Sequence, residues 1–329
     1  MPECVPDMRA PTKLGLYGVG LVAIFVVGFV GARAFIPTDA SASWKSQAEA
    51  AQMDHGAQHR ADTTESPRSV EMPGLSIERS GYQIRDVAAP GAVGQDGTLS
   101  FRLTGPGGVA VTEYDTAHDK DLHLIVVRSD GAEFRHVHPT NDGDGSWSIP
   151  WRWNAAGSYR IFADVVPTDL GSNVTLTSTT SVAGDFVPRP LPPESAVATV
   201  DDLTVTLGGS LGVGTSSTLT FTVTRAGQPV NTLEPYLAAY GHLVALRVGD
   251  LGYLHVHPMG EPGDGVTKPG PDIDFMAAAP TDGTYLLYLD FKVDGQVRTA
   301  EFTVTAAPAA AAGNATAGSP EHGHSGAGH

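Results

Sequence analysis

The chain has 329 residues, enough for two average domains, and its 39 Gly and 24 Pro with only 17% charged residues exclude a coiled coil, a long-helix protein and a fully disordered chain. The formal net charge of −16 argues against nucleic acid as a partner, because neutralising phosphates requires an excess of Lys and Arg, and it is compatible with cation binding. The single cysteine, Cys4, excludes an intramolecular disulfide and a cysteine-cluster zinc site, so a metal would need ligands from the 12 histidines, carboxylates or Met.

Residues 14–32 form an uncharged apolar stretch, LGLYGVGLVAIFVVGFVGA, of the length that spans a bilayer as a helix. Arg9 and Lys13 precede it, which favours a cytoplasmic N-terminus. We expect a signal anchor, in contact with the lipid bilayer, that makes this a single-pass plasma-membrane protein with both later domains on the extracytoplasmic side. Cleavage after Ala40-Ser41-Ala42, a small-x-small motif, is the alternative.

Composition divides the rest of the chain into two segments of similar length. The region after the apolar stretch lacks the residues for a core, VPRPLPPES at 187–195 is a Pro-rich break, and the C-terminus is rich in Ala and Gly. The predicted organisation is a cytoplasmic N-terminus (1–13), a transmembrane helix (14–36), a flexible tether (37–81), a first β domain (82–186), a linker (187–196), a second β domain (197–306) and a flexible tail (307–329) that carries His322, His324 and His329.

Both segments contain short runs of alternating apolar residues with turn signals between them. Runs of this kind and spacing predict an all-β sandwich in each segment. In the first segment they are TLSFRLT (98–104), DLHLIVVR (121–128), WSIPWRW (147–153) and SYRIFADVV (158–166), and in the second TLTFTVT (218–224), GHLVALRV (241–248), DIDFMAA (272–278) and TYLLYLDFKV (284–293). The tryptophans of the third run are expected in the core.

The two segments are copies of each other. His123 aligns with His242 at an offset of 119, and the motif HVHP at 136–139 aligns with HVHP at 255–258 at the same offset. Further along, Gly157, Tyr159 and Asp164 match Gly283, Tyr285 and Asp290 at an offset of 126, which places a seven-residue insertion in the second copy. A duplication therefore gives the same fold twice.

Turn signals set the register of the strands that carry the histidines. If Asp130-Gly131 forms a hairpin turn, residues whose numbers sum to 261 are paired, and His123 lies opposite His138 with His136 on the same face.

The second copy has Gly249-Asp250 at the equivalent place, and a sum of 499 puts His242 opposite His257 with His255 beside it. Opposed Cβ atoms are about 5 Å apart and same-face neighbours about 7 Å, so three imidazoles in each hairpin can converge on one ion. The sequence thus predicts two metal sites, one per domain, with ligands His123, His136 and His138 in the first and His242, His255 and His257 in the second. Hydrogen-bonded structural histidines are the alternative.

The composition of each strand face indicates where these clusters lie. Ile125, Val127 and Phe134 share the face of His123, whereas the opposite face carries Arg128 and Arg135. We therefore expect the histidine face to point into the core, with each cluster at one end of its sandwich.

Three further residues are candidates for supporting roles. Asp164 and Asp290 could accept hydrogen bonds from ligating imidazoles, although a surface or turn-capping role is the favoured expectation. His118 is a weak fourth-ligand candidate, because Leu237 occupies its place in the second copy.

The blocks LHLIVV…FRHVHP and YLAAYGHLVAL…YLHVHP, each followed by a G-x-Y strand, resemble a family of bacterial, largely actinobacterial, membrane-anchored or secreted proteins associated with heavy metals or copper. The resemblance covers roughly residues 82–305 and implies an immunoglobulin-like, extracytoplasmic β protein concerned with metal.

These observations favour a membrane-anchored protein that binds or buffers a transition metal. Copper is the first expectation, since Cu²⁺ binds imidazole sites most tightly in the first-row series, and zinc is the second. No Gly-rich phosphate loop, G-x-S-x-G elbow or H-E-x-x-H helix is present, so we expect no enzyme activity. A metal-free scaffold and, less favoured, a zinc-dependent hydrolase are the alternatives. No sequence feature identifies a protein partner.

Overall fold

A computed structural model describes residues 73–254 and 256–308. The predicted transmembrane helix at 14–36, residues 37–72 of the tether and the tail beyond Pro308 lie outside these ranges. Within them, no helix is long and apolar enough to cross a membrane.

The first repeat forms a sandwich of two antiparallel sheets. One has the order β1-β2-β3-β7-β6 and the other β5-β4-β8-β9, and a 3₁₀ turn at Pro106–Gly108 follows β3. The strands are β1 (Glu78–Arg79), β2 (Tyr82–Ala88), β3 (Gly97–Thr104), β4 (Leu122–Arg128), β5 (Arg135–Val137), β6 (Thr140–Asn141), β7 (Ser146–Trp151), β8 (Gly157–Val165) and β9 (Val174–Val182).

The second repeat forms a second sandwich with corresponding sheets. One has the order β10-β11-β13-β18-β17, with β14 paired to β13, and the other β12-β20-β19-β15-β16. The strands are β10 (Val197–Val200), β11 (Leu203–Gly208), β12 (Gly212–Val213), β13 (Ser217–Arg225), β14 (Gln228–Pro229), β15 (Gly241–Arg247), β16 (Tyr253–Leu254), β17 (Val256–Pro258), β18 (Asp272–Ala277), β19 (Gly283–Val293) and β20 (Gln296–Pro308).

The strand order is that of the immunoglobulin fold. In the first sandwich, β2-β3-β7-β6 and β5-β4-β8-β9 correspond to strands A-B-E-D and C′-C-F-G. Both sandwiches also have a tyrosine corner at the start of strand F: Tyr159 donates to the Ala155 carbonyl at 2.8 Å, and Tyr285 donates to the Thr281 carbonyl at 3.0 Å. The fold is therefore all-β, with two tandem immunoglobulin-like sandwiches.

The first sandwich begins earlier than the predicted boundary at residue 82. β1 pairs with β2, and the carbonyl of Pro73 accepts a hydrogen bond from the Tyr253 amide at 2.9 Å. The last residues of the predicted tether, 73–81, are thus part of the folded structure.

Each sandwich has its own core, and a third apolar cluster joins the two. The first core contains Trp147, Trp151 and Trp153, as predicted from the alternation of that strand. The third cluster, the interface cluster, takes residues from both sandwiches: Ile125, Val127 and Phe162 from the first, and Val244, Leu246, Leu251, Tyr253, Leu286 and Tyr288 from the second.

The expectation that the histidine face points into the core is wrong. Leu122, Leu124 and Val126 face the core of the first sandwich, whereas Ile125 and Val127, on the histidine face, pack against the second sandwich. His123, His136 and His242 therefore lie between the sandwiches and not at one end of each.

Arg128 and Arg135, whose charges suggested that their face is exposed, both have specific partners. Arg128 is 6% exposed and forms a bidentate contact with Asp130 at 2.9 and 2.8 Å. The guanidinium of Arg135 lies over the Trp151 ring, 4.6 Å from its centroid. Both faces of β4 are consequently buried, and charge on one face does not indicate exposure.

Candidate metal site between the sandwiches

The predicted hairpin registers are confirmed. Leu124 pairs with Val137 in the first repeat and Ala245 with Leu254 in the second, which give the predicted sums of 261 and 499. The connection is wider than the predicted two-residue turn in both repeats, since the Arg128 amide donates to the Ala132 carbonyl at 2.9 Å and the Arg247 amide donates to the Gly252 carbonyl at 2.9 Å. The register, and with it the placement of His123 and His136 on one face, is unaffected.

His123 lies on β4 and is 7% exposed. Its Nε2 is 2.9 Å from the carbonyl oxygen of Ala117. A carbonyl oxygen only accepts hydrogen bonds, so Nε2 carries the proton and Nδ1 presents a lone pair. That lone pair points to His136 and His138.

His136 lies on β5 and reaches across to the second sandwich. Its Nδ1 is 2.9 Å from Oδ2 of Asp290, and its Nε2 is 3.0 Å from Nδ1 of His123. Asp290 is 3% exposed and its other oxygen accepts a hydrogen bond from the Thr299 hydroxyl at 2.6 Å. The carboxylate thereby fixes the Nδ1–H tautomer of His136 and leaves Nε2 with a lone pair.

His138 completes the group that we call the His triad, which consists of His123, His136 and His138. Its Nε2 is 3.3 Å from Nδ1 of His123, and the three candidate ligand atoms all lie within 4.8 Å of one another. Nitrogens bound to one tetrahedral ion at about 2.0–2.1 Å would be about 3.3 Å apart. Two of the three spacings are close to that value, so the three nitrogens are near enough to one another to hold a single metal ion.

The contact between His123 and His136 needs a cation. With Nε2 of His123 donating to a carbonyl and Nδ1 of His136 donating to a carboxylate, the two atoms that face each other at 3.0 Å both carry lone pairs. Either a proton, which makes one ring an imidazolium, or a metal ion resolves this repulsion. The site is thus built either for a shared proton or for a metal.

Burial keeps most of these imidazoles neutral. Desolvation, followed by the charge of His136, lowers the pKa of His123 to about 4 and that of His138 to about 3. Desolvation likewise lowers the pKa of His242 to about 3. Neutral imidazole is the form that ligates a metal.

The second repeat brings one histidine to the same place. His242 donates through Nε2 to the Leu237 carbonyl at 2.7 Å, and its ring centroid lies 6.0 Å from that of His123. His118, the weak fourth-ligand candidate, has its centroid 5.0 Å from that of His242. These two rings border the His triad without joining it.

The other predicted ligands of the second repeat do not form an equivalent triad among the described residues. His257 is exposed and lies on β17, which pairs with β18 in the opposite sheet. In the first repeat, the strand beside β4 continues to Val137 before the chain crosses to the other sheet. In the second repeat, the strand beside β15 ends at Leu254, and Val256, which is equivalent to Val137, already belongs to the other sheet. His255 lies outside the described residues. Across 73–254 and 256–308, the His triad is the group of His, Cys, Asp or Glu that satisfies metal-ligand spacing.

The favoured surface or turn-capping role is wrong for Asp290, which instead accepts a hydrogen bond from an imidazole, the stated alternative. Asp164 and Asp290 each lie within a long strand of the interface sheets, and each accepts a hydrogen bond from a threonine hydroxyl at 2.6 Å, Thr175 for Asp164 and Thr299 for Asp290. Their equivalence in the repeat was the sequence signal for a shared role.

A small cavity lies against this arrangement. Its volume is about 50 Å³, and His118, His123, His136, Asp164 and His242 are among the residues that line it. Such a volume accommodates an ion with one or two waters, since a water occupies about 30 Å³ of liquid.

The solved structures that match this chain are only distantly similar to it. A chimeric titin Z1Z2-Z1Z2 tandem is 15% identical with a TM-score of 0.19, covering 67% of this chain and 93% of that chain. An ICAM-5 D1–D4 ectodomain fragment is 16% identical with a TM-score of 0.20, covering 69% and 54%. A protein from Corynebacterium diphtheriae that is described as membrane anchored is 13% identical with a TM-score of 0.20, covering 70% and 60%. These TM-scores are too low to bear on function, and the fold assignment rests on strand order and the tyrosine corners.

No curated protein matches the chain. A family model described as a domain of unknown function, DUF8832, matches residues 77–184 and 198–308. The two matches coincide with the two sandwiches, so the family unit is one sandwich and the internal repeat is two copies of it. Since they span most of the sequence, the chain belongs to the DUF8832 family, with one family domain in each sandwich.

Proposed function

We propose that this protein binds a transition metal ion at the His triad, with copper as the first candidate and zinc as the second. The observation that carries the proposal is the contact between Nδ1 of His123 and Nε2 of His136 at 3.0 Å, two atoms whose outer hydrogen bonds leave lone pairs facing each other. His138 supplies a third nitrogen at a distance suited to the same ion. An all-imidazole site favours Cu²⁺ and Zn²⁺ over harder cations.

Binding or buffering fits the site better than catalysis. The cavity of about 50 Å³ suits an ion and water better than an organic substrate. Both carboxylates beside it accept hydrogen bonds from threonines, and that of Asp290 also holds His136, which makes neither a ready general base. We therefore favour a metal-holding role without enzyme activity.

The proposed setting is the outer face of the plasma membrane. The apolar stretch at 14–32 supports an anchor, and the resemblance to metal-associated bacterial proteins supports an extracytoplasmic role. In that setting the two sandwiches would present a metal-buffering site at the cell surface.

Zinc and copper(II) titrations into the full-length chain test the proposal. His322, His324 and His329 are replaced by Ala in every variant, so that the tail does not contribute. We expect His123→Ala with His136→Ala to remove one tightly bound ion per chain. His257→Ala is the matched control, because His257 is exposed and outside the triad, and it should leave zinc binding unchanged.

A metal-free scaffold predicts a different outcome. In that case no tight ion is lost in the triad variant, and its substitutions only lower the melting temperature by leaving buried partners without hydrogen bonds. An equal loss of zinc in the His257→Ala control would also contradict the proposal.

A further inference from the structure

The methionines of the described residues lie in an unusual environment. The chain has six methionines, and the two within 73–254 and 256–308 are Met259 and Met276. Both are substantially exposed, at 45% and 40%. Methionine is ordinarily buried as an adaptable core residue, so two exposed thioethers on one domain call for an explanation.

Both methionines lie beside His257. His257 is directly paired with Met276 across β17 and β18, and the ladder continues where the Met259 amide donates to the Asp274 carbonyl at 2.8 Å. Side chains alternate along a strand, so His257 and Met259 share the face that carries Met276. Opposed Cβ atoms are about 5 Å apart and next-but-one neighbours about 7 Å, within reach of long thioether side chains.

This face points away from the core. The intervening residues of β18, Ile273, Phe275 and Ala277, are buried in the core of the second sandwich, and Val256 of β17 packs against them. The three residues His257, Met259 and Met276, which we call the soft surface site, are therefore on the outer face, separate from the His triad.

We infer that the soft surface site binds copper(I). One imidazole and two thioethers form a ligand set that favours this soft cation and disfavours zinc, calcium and magnesium. Met259 also borders a surface groove of about 670 Å³ that includes Asp264, Lys268 and Asp274, so the site is open to solvent and to an exchanging ligand. Pro258 lines both this groove and the cavity beside the His triad.

The inference does not depend on the His triad. The triad offers three nitrogens and suits zinc or copper(II), whereas the soft surface site offers two sulfurs and one nitrogen and suits copper(I). Metal selectivity therefore separates the two claims experimentally.

The test is a titration of copper(I) into the full-length chain, with the copper(I) delivered from a chromophoric chelator under reducing conditions. The chain is first loaded with zinc so that the triad is occupied. The test variant is Met259→Leu with Met276→Leu, which conserves side-chain volume on an exposed face and should leave the circular dichroism spectrum unchanged. We expect the variant to bind one copper(I) fewer per chain, or to bind that ion at least tenfold more weakly. X-ray absorption should show fewer sulfur ligands per copper in the variant.

Unchanged copper(I) stoichiometry and affinity in the variant, or a copper centre whose sulfur ligands survive both substitutions, would overturn the inference. His257→Ala should weaken copper(I) binding in the same titration while leaving zinc binding unaltered. If zinc does not bind the wild-type chain, only the triad proposal is contradicted. The soft surface site is then tested by titrating copper(I) into the chain that carries His123→Ala and His136→Ala, with and without the methionine substitutions.

Discussion

Nδ1 of His136 lies 2.9 Å from Oδ2 of Asp290, although the two residues belong to different sandwiches and are 154 positions apart. Asp290 of β19 is paired with His242 of β15. The contact therefore connects the His triad of the first repeat with His242 of the second. Both side chains are nearly inaccessible, at 3% and 4% exposure. The His triad belongs to the first family domain, but one of its members is thus held in place by a carboxylate of the second.

Replacing Asp290 by Asn should weaken metal binding without removing it. The carboxylate fixes the tautomer of His136, and loss of such a partner typically costs 10–100-fold in metal affinity. Competition titration with a zinc chelator measures the change. Asp272→Asn is the matched control, because Asp272 also accepts a threonine hydrogen bond at 2.6 Å, from Thr222, but its side chain is exposed and faces away from the triad. An unchanged affinity in Asp290→Asn would show that the contact does not support the ligand.

Acid should destabilise the metal-free protein. The pKa values of His123, His138 and His242 are lowered to about 4, 3 and 3 in the folded state, against about 6.5 in an unfolded chain. The unfolded state therefore binds more protons between these values, and the free energy of unfolding is highest above pH 6.5 and falls as the pH drops towards 4.

Each group contributes up to about 1.4 kcal/mol per pH unit, and half-buried His138 contributes less because water screens its charge. Urea unfolding of chelator-treated protein at several pH values from 7.5 to 4.5 measures the slope. A free energy of unfolding that stays constant over this range would show that these imidazoles are not held neutral by the fold.

The first sandwich alone, residues 73–186, should be less stable than the same sandwich within the whole chain. Its separation exposes Ile125, Val127 and Phe162, which are fully buried in the interface cluster. We expect a lower urea midpoint and self-association in sedimentation experiments. A monomeric fragment with undiminished stability would mean that the interface contributes little.

Gly131→Ala should disrupt the interface selectively. Gly131 has a φ of 80°, and a Cβ at this position would collide with Leu286 of the second sandwich. Its carbonyl also accepts a hydrogen bond from the Tyr288 hydroxyl at 2.6 Å. We expect a loss of about 1–3 kcal/mol in stability. Gly143→Ala is the control, since Gly143 has a similar φ of 84° but open space around it. If both variants lose the same stability, the loss comes from backbone strain and not from the interface.

The sequence was sufficient to predict the strands and the local register. Alternation located the runs around Phe101 and Phe221, and the Asp-Gly and Gly-Asp signals gave the pairing that brings His123 and His136 to one face. These features depend on residues close together in the chain, where turn chemistry and side-chain period act directly.

The placement of the site could not be predicted in the same way. Both faces of β4 are apolar, and the pattern does not indicate that one is covered by its own sandwich and the other by the second sandwich. The role of Asp290 also depends on that docking. The asymmetry of the second repeat, where His257 moves to the opposite sheet, results from where the chain crosses between sheets, which the identical HVHP motifs do not distinguish.

The measurement that tests the central claim most directly is anomalous diffraction from crystals of the full-length chain loaded with zinc. The account predicts one strong zinc peak between the sandwiches, about 2.0–2.1 Å from Nδ1 of His123 and from Nε2 of His136 and His138, with Asp290 still in contact with Nδ1 of His136. A zinc peak elsewhere, or three histidines that retain their contacts with no metal between them at saturating zinc, would contradict it.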